Sequence, residues 1–270
     1  MQVKLKAKKL LLLICLGYTL NVQAMPSVRS NIALVYDETA QRTLYSKKAD
    51  TVVPIASITK LMTAMVVLDA QLPLEEEISI SVQDMDMLKG THSRLRLGAV
   101  LTRGELLKLA LMSSENRAAA ALARTFPGGE ENMIYMMNVK ARELGMKNTH
   151  FLDSTGLNRR NVSTARDLVK MLSEAQHYKL IQEFTTAASH TVISPWHAPL
   201  HFRNSNSLVR GGSWDISVSK TGYIREAGRC LVMTSIITQR QVIIVLLDSS
   251  GPIARIRDAN NIKKWMEGVL

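Results

Sequence analysis

The chain has 270 residues, 46% of them hydrophobic and only 5% aromatic, and a formal charge of +11. That balance excludes a disordered polymer and suits a globular protein whose core is aliphatic and methionine-rich. The basic residues are scattered and no aromatics interleave with them, which excludes a nucleic-acid binder.

The first 24 residues differ from the rest. Lys4, Lys6, Lys8 and Lys9 precede the apolar run "LLLLICLGYTL", and the small-residue stretch "VQA" ends at Ala24. This is the pattern of a secretory signal peptide cleaved after Ala24, and the apolar run is short of the ~20 residues that span a bilayer. Cys15 does not read as a lipid attachment site, because Ile14 stands where a small residue is wanted. The leader holds four lysines and no acid, so the remainder carries +7. The expectation is a soluble protein of a bacterial periplasm, with at most peripheral membrane contact and a charge suited to an anionic polymer such as cell wall. One cysteine then remains, Cys230 in "RCLVMTSII", which reads as a buried strand thiol rather than a nucleophile.

After a short lead, "IALVYDETAQRTLYSKK" predicts strand, turn, strand. "PIASITKLMTAMVVLDA" predicts a helix that is apolar nearly all round, with Lys60 in its first turn. Residues 72–94 read as loop, with Glu75, Glu76 and Glu77 on a solvated surface. "TRGELLKLALM" is a helix opened by a capping box, Thr102 with Glu105. "RAAAALARTF", "ENMIYMMNVKARELG" (stopped by Gly145) and "TARDLVKMLSEAQ" continue helical. Beyond about Pro195 the character changes. "WDISVSK", "RCLVMTSIIT" and "VIIVLLD" read as strands, with "QRQ" as the turn between the last two, and "IARIRDANNIKKWMEGVL" as a closing helix. Strands at both ends and helices between them predict an α+β architecture: an antiparallel sheet from about 30–56 and 200–270, and a helical lobe from about 57–199, within one domain spanning 25–270.

Ser57 and Lys60 are three apart, so both side chains lie on one helix face near the helix N-terminus, where free N–H groups favour a developing anion. A lysine desolvated among Leu61, Met62, Ala64 and Met65 loses proton affinity and can serve as the base for a serine nucleophile. Alone the pair is weak. Ser-x-x-Lys arises roughly once by chance in a chain this long, and it recurs here as Ser217 and Lys220. A capping serine and a snorkelling lysine explain it equally well. Two further elements shift the balance: "SSENRAA", which supplies Ser114 and Asn116, and "SKTGY", which supplies Lys220, Thr221 and Gly222. The ordered trio Ser-x-x-Lys, Ser-x-Asn, Lys-Thr-Gly is that of penicillin-recognising serine hydrolases.

With "STGLN", "NVSTARDL" and "KTGYIREAGRCLVM" added, the chain from about residue 30 onward resembles the D-alanyl-D-alanine carboxypeptidase and endopeptidase family of low-mass penicillin-binding proteins, and most its endopeptidase branch. The resemblance implies the β-lactamase/transpeptidase-like fold and an acyl-enzyme mechanism without metal or other cofactor. In it Ser57 attacks a D-alanyl peptide bond and Lys60 is the base. Ser114 relays the proton, and Asn116, Lys220, Thr221 and Gly222 bind substrate. The backbone N–H groups of Ser57 and Tyr223 form the oxyanion hole. The implied partners are peptidoglycan stems and cross-links, and β-lactam antibiotics. Glu115 in the middle of the second motif and Tyr223 after the third are departures beside the cleft.

Other readings are weaker. A class A β-lactamase needs a carboxylate to activate the deacylating water, and Asp153 in "HFLDSTGLN" matches neither its spacing nor its identity; it reads as a loop-shaping residue. There is no Gly-x-Ser-x-Gly elbow, and His197 and His201 have Pro199 between them and no HExxH context, so no metal is expected. Asn161-Val162-Ser163 matches a glycosylation sequon by pattern and reads as a helix start. A non-catalytic wall-binding protein is disfavoured by the intact trio. A carboxypeptidase that removes terminal D-alanine needs a cation for the terminal carboxylate; Arg255 or Arg257 could serve, although surface salt bridging is the default for both.

Overall fold

A computed structural model of the protein describes residues 25–193 and 198–268. The leader, Pro195 and His197 lie outside the described residues.

Strands β1 (Ile32–Asp37) and β2 (Arg42–Lys47) form the expected hairpin. The short β3 (Val53–Pro54) leads through a 3-10 turn, Ala56–Ile58, into helix α1 (Thr59–Asp69). Two short strands, β4 (Glu77–Ser79) and β5 (Val100–Thr102), pair across the segment that the sequence presented as plain loop. Helix α2 (Arg103–Met112) opens with the predicted capping box: Glu105 N–H donates to Thr102 Oγ1 at 3.1 Å, and Thr102 N–H donates to Glu105 Oε2 at 2.9 Å. Such a cap stabilises a helix by about 1 kcal/mol. Glu76 is more than a solvated charge. It accepts from Arg103 at 2.6 Å, and Arg103 is only 1% exposed.

Helices α3 (Asn116–Arg124) and α4 (Gly129–Glu143) follow. Strand β6 (Val162–Ser163) pairs with β3 just before α5 (Ala165–Ala175), whose N-cap is Thr164. The sequon is therefore strand rather than helix start, and Asn161 is fully buried. Its amide oxygen accepts from the N–H groups of Leu152 and Asp153 at 2.7 and 3.2 Å, so the sequence pattern marks a structural bracket. Helix α6 (Lys179–Thr186) and the hairpin of β7 (Ser189–Val192) and β8 (Leu200–Arg203) had no clear sequence signal. A one-turn helix, α7 (Ser207–Gly211), then precedes β9 (Asp215–Ile224), β10 (Gly228–Ile237) and β11 (Arg240–Ser249), and α8 (Ala254–Met266) follows.

The large antiparallel sheet has the order β2-β1-β11-β10-β9, so the two ends of the chain meet at β1 and β11. Its middle strand, "VIIVLL", is apolar at every position because both faces are covered. Val242, Ile244 and Leu246 meet Ala259 and Ile262 of α8 on one face. On the other, Ile243, Val245 and Leu247 join the core shared with α1 and α5. The β10–β11 reversal is tighter than expected. Thr238 and Gln239 alone form it, both at positive φ (+49° and +63°), and Arg240 and Gln241 already belong to β11. Two residues with φ > 0 make the turn whose twist matches the flanking strands. Cys230 is buried in β10, opposite Gly222, and burial pushes its thiol up to about 11, so it is inert at neutral pH.

Candidate active site

The site forms where three segments distant in sequence converge: the turn before α1, the connection between α2 and α3, and strand β9. Ser57 sits in the 3-10 turn, one residue after Ala56, which is held at φ +48°. A left-handed backbone costs an L residue about 1–2 kcal/mol, and such strain persists only where the surroundings over-determine it. Two glycines supply the confinement. A Cβ on Gly156 would lie 2.0 Å from Ala56 O, and one on Gly222 would lie 3.1 Å from Ser57 N. Only glycine lets both backbones close on the turn.

Lys60 lies one helical turn along and is fully buried. Its Nζ donates to Ser57 Oγ at 3.0 Å, to Asn116 Oδ1 at 2.8 Å and to Thr155 O at 2.6 Å. Three acceptors match the three protons of an ammonium. Burial lowers its pKa to about 8, against the opposing pull of the Asp153, Glu115 and Asp86 carboxylates. The snorkelling alternative fails, because the lysine head points inward and not to water.

Ser114 is held at φ +63° between α2 and α3. Its Oγ accepts from Lys220 Nζ at 2.8 Å, and Lys220 also donates to Thr221 O at 3.0 Å. Lys220 is pushed well below the ordinary lysine value, first by burial and then by the positive charges of Lys60 and Arg255. Two buried lysines thus flank the cleft, each hydrogen-bonded to a serine hydroxyl. Asn116 begins α3; while its Oδ1 holds Lys60, its Nδ2 donates to Thr91 Oγ1 at 2.9 Å. Glu115 caps α3 by accepting from Arg117 N–H at 3.2 Å. Thr221 and Gly222 are on β9, and Thr221 Oγ1 donates to Ser205 Oγ at 2.7 Å. Tyr223 is 57% exposed at the cleft, with the Arg229 guanidinium over its ring.

Lys60 thus joins Ser57 to Asn116, Lys220 of β9 joins Ser114, and Gly222 meets the Ser57 turn, with Thr221 and Tyr223 as its neighbours on β9. Thr155, Gly156, Thr91 and Ser205 were missed as participants. The first two lie within "STGLN", but a carbonyl acceptor and a close backbone approach leave no residue-type signature. Asp153 is the loop-shaping residue expected: it accepts from the N–H groups of Thr155, Gly156 and Asn158 at 2.8, 2.5 and 2.6 Å. Arg255 departs from expectation. Among the described residues it makes no salt bridge, and its Nε and Nη1 are buried without hydrogen-bond partners. Arg257 is exposed.

A family model described as D-alanyl-D-alanine carboxypeptidase, peptidase family S11, matches residues 19–251. The chain belongs to this family. It is 46% identical over 239 residues to a D-alanyl-D-alanine endopeptidase of Pseudomonas aeruginosa, covering 88% of this chain and 77% of that one. With the D-alanyl-D-alanine endopeptidase of Escherichia coli it shares 45% over 246 residues, 90% of this chain and 79% of the other. The crystal structure of the Streptomyces K15 DD-transpeptidase superposes with a TM-score of 0.83 at 29% identity, over 90% of this chain and 99% of that one. Penicillin-binding protein D2 of Listeria monocytogenes, in its cefotaxime-bound form, gives 0.78 at 28% identity, over 91% of this chain and all of that one. The fold is thus that of the β-lactamase/transpeptidase group, as the motif order implied.

Proposed function

We propose that the protein is a periplasmic serine DD-peptidase that cleaves D-alanyl bonds in peptidoglycan, above all the D-alanyl–meso-diaminopimelyl cross-link, and that β-lactams acylate it. The observation that carries this reading is the 3.0 Å contact between a fully buried Lys60, its pKa lowered to about 8, and Ser57 Oγ. Neutral Lys60 takes the Ser57 proton as Oγ attacks the D-alanyl carbonyl. The oxyanion is held by the N–H groups of Ser57 and Tyr223, at the turn that Gly156 and Gly222 confine. Ser114, bonded to Lys220, relays the proton taken up by Lys60 to the departing amine as the C–N bond breaks, so that Lys60 is neutral again and Ser114 keeps its hydroxyl. Water then releases D-alanyl product from Ser57. Asn116 and Thr221 orient the peptide along β9. Among the described residues no helix is long and apolar enough to cross a membrane, and the basic leader pattern of residues 1–24 supports export with cleavage after Ala24.

Two measurements test the proposal. Fluorescent penicillin labels the wild type and not Ser57→Ala; labelling of both would remove Ser57 from the chemistry. Digests of purified cross-linked muropeptides lose dimers and gain monomers. Loss of terminal D-alanine with dimers intact would establish a carboxypeptidase instead. Arg255 is the observation that favours this second reading, since its unpartnered guanidinium atoms near Lys220 suit a terminal carboxylate. In that case Arg255→Gln abolishes release of D-alanine from pentapeptide stems while fluorescent penicillin still labels Ser57.

A further inference from the structure

Residues 86–91 close a turn around one carboxylate. Asp86 Oδ1 accepts from the N–H groups of Leu88 and Lys89 at 2.8 and 2.9 Å. Its Oδ2 accepts from Thr91 twice, from the backbone N–H at 2.9 Å and from the hydroxyl at 2.7 Å. Partial burial pushes the Asp86 carboxyl up, but the bonds from Lys89, Thr91 and Leu88 outweigh it and hold the group below the ordinary value. Asp86 is therefore ionised at neutral pH and can only accept. The turn is also tied to the sheet: Lys89 meets Glu226, in the β9–β10 connection, at 2.5 Å.

The Thr91 hydroxyl begins a directional chain that ends at the nucleophile. Its one proton goes to Asp86, so its oxygen has only lone pairs to offer Asn116. Asn116 must then present Nδ2–H to Thr91, at 2.9 Å, and its Oδ1 is left to accept from Lys60 Nζ at 2.8 Å. Lys60 in turn donates to Ser57 Oγ at 3.0 Å. The two ends of an asparagine amide have nearly the same shape, so packing alone does not choose between them. The reversed amide would set Oδ1 against the lone pairs of Thr91 and an NH₂ group against the Lys60 ammonium. Both contacts would be repulsive.

We propose that Thr91 is a positioning residue: with its hydroxyl fixed by Asp86, it sets the amide of Asn116 so that the carbonyl oxygen meets Lys60. The inference rests on the Ser57–Lys60 chemistry proposed above and extends it by two residues that touch neither substrate nor nucleophile.

Thr91→Val tests it, because it removes the hydroxyl and keeps the shape. Thr91 is exposed, so the core is not disturbed, and the backbone N–H of residue 91 still reaches Asp86. The charges that act on Lys60 also stay: Asp86 on the turn, Glu115 before α3, Asp153 in its loop and Lys220 on β9. So do the Lys89–Glu226 pair and the charges of Asp84, Arg124 and Glu130 along the adjoining cavity. Once the amide is free to turn over, the ammonium loses an acceptor and Lys60 gives up its proton more readily. The midpoint of the pH profile for acylation by fluorescent penicillin then falls by about half a pH unit, as for one net hydrogen bond. The plateau rate falls ~10-fold, because Asn116 is mis-set.

Thr91→Ser keeps the hydroxyl and restores both. In an Asp86→Asn background, where no ionised carboxylate fixes the hydroxyl, Thr91→Val moves the midpoint little further. Mere loosening of the turn would admit water to Lys60 and leave the midpoint in place or raise it; either result in Thr91→Val would overturn the proposal. So would a Thr91→Ser protein no better than Thr91→Val, or equal shifts with and without Asp86. A wild type that penicillin never labels would remove the Ser57 reading itself. A wild type that labels, with no shift in Thr91→Val, would remove the positioning role alone.

Discussion

Lys60 Nζ lies 3.0 Å from Ser57 Oγ and places its other two protons on Asn116 Oδ1 and Thr155 O. The geometry binds an ammonium well, and the burial opposes its charge. The lysine is thereby held near the point where it can exchange a proton at neutral pH.

Acylation is accordingly expected to rise with pH. Lys60 must be neutral to accept the Ser57 proton, and with a pKa of about 8 only about a tenth of it is neutral at pH 7. The rate constant for penicillin acylation should climb roughly tenfold per pH unit below that value and level off above it. Lys60→Arg keeps the charge but cannot give up its proton, so labelling is lost at every pH. Survival of labelling in that variant would make the lysine structural.

The same shift has a sign for stability. The folded-state pKa lies below the ordinary lysine value of 10.5, so the fold favours the neutral form. The cost of the buried ammonium is fully present below pH 8 and is relieved as pH rises toward 10.5, by about 3 kcal/mol. In urea melts the wild type should gain stability across this window, and Lys60→Met should gain less.

Ser114 and Lys220 are predicted to act as a unit. Removing either the hydroxyl or the amine of their 2.8 Å contact should lower acylation by about 10²–10⁴. The double variant Ser114→Ala/Lys220→Ala should be little worse than either single one. Additive losses, measured as second-order acylation constants, would show that the two side chains act separately.

The two glycines against the Ser57 turn should fail differently. In Gly222→Ala the new Cβ meets Ile55 O at 3.0 Å, a contact that a small shift relieves, so the protein folds but labels slowly. Gly156→Ala puts a Cβ 2.0 Å from Ala56 O at φ +82°, and should cost about 3 kcal/mol or more. Thermal melts together with penicillin labelling separate the two cases.

The chain ends offer a stability test remote from the cleft. Asp258 of α8 is fully buried and accepts from Arg29 N–H at 2.9 Å, Ser30 N–H at 2.7 Å and Ser30 Oγ at 2.5 Å. Hydrogen bonds to a charged group contribute about 1.5–3 kcal/mol each at most, so Asp258→Ala should lower the melting temperature by several degrees. Penicillin labelling at low temperature should persist, since Asp258 lies on the sheet face away from the helical lobe.

The sequence carried the long helices, the sheet strands and the trio of motifs, because periodicity, capping pairs and chemistry-bearing side chains leave marks in residue types. It did not carry Thr155, whose contribution is a carbonyl, or Gly156, whose contribution is the space it leaves. Strands β4 to β8 escaped because each is two to four residues long and pairs through context, not pattern. The Arg255 default failed for a related reason: its sequence neighbours suggest a surface helix, while the fold sets it near Arg229 and Cys230 of β10.

Strand β9 ends the large sheet, and the turn bearing Ser57 stands directly against it. An unpaired edge usually invites association with a second sheet, and proteins blunt it with charge, proline or a bulge. Here the hazard and the working surface coincide. On the proposed reading the rim stays open for one extended peptide, and the Ser57 turn packed against Gly222 stands over part of it. Loosening of that turn, as in Gly156→Ala, is then expected to bring self-association together with loss of penicillin labelling.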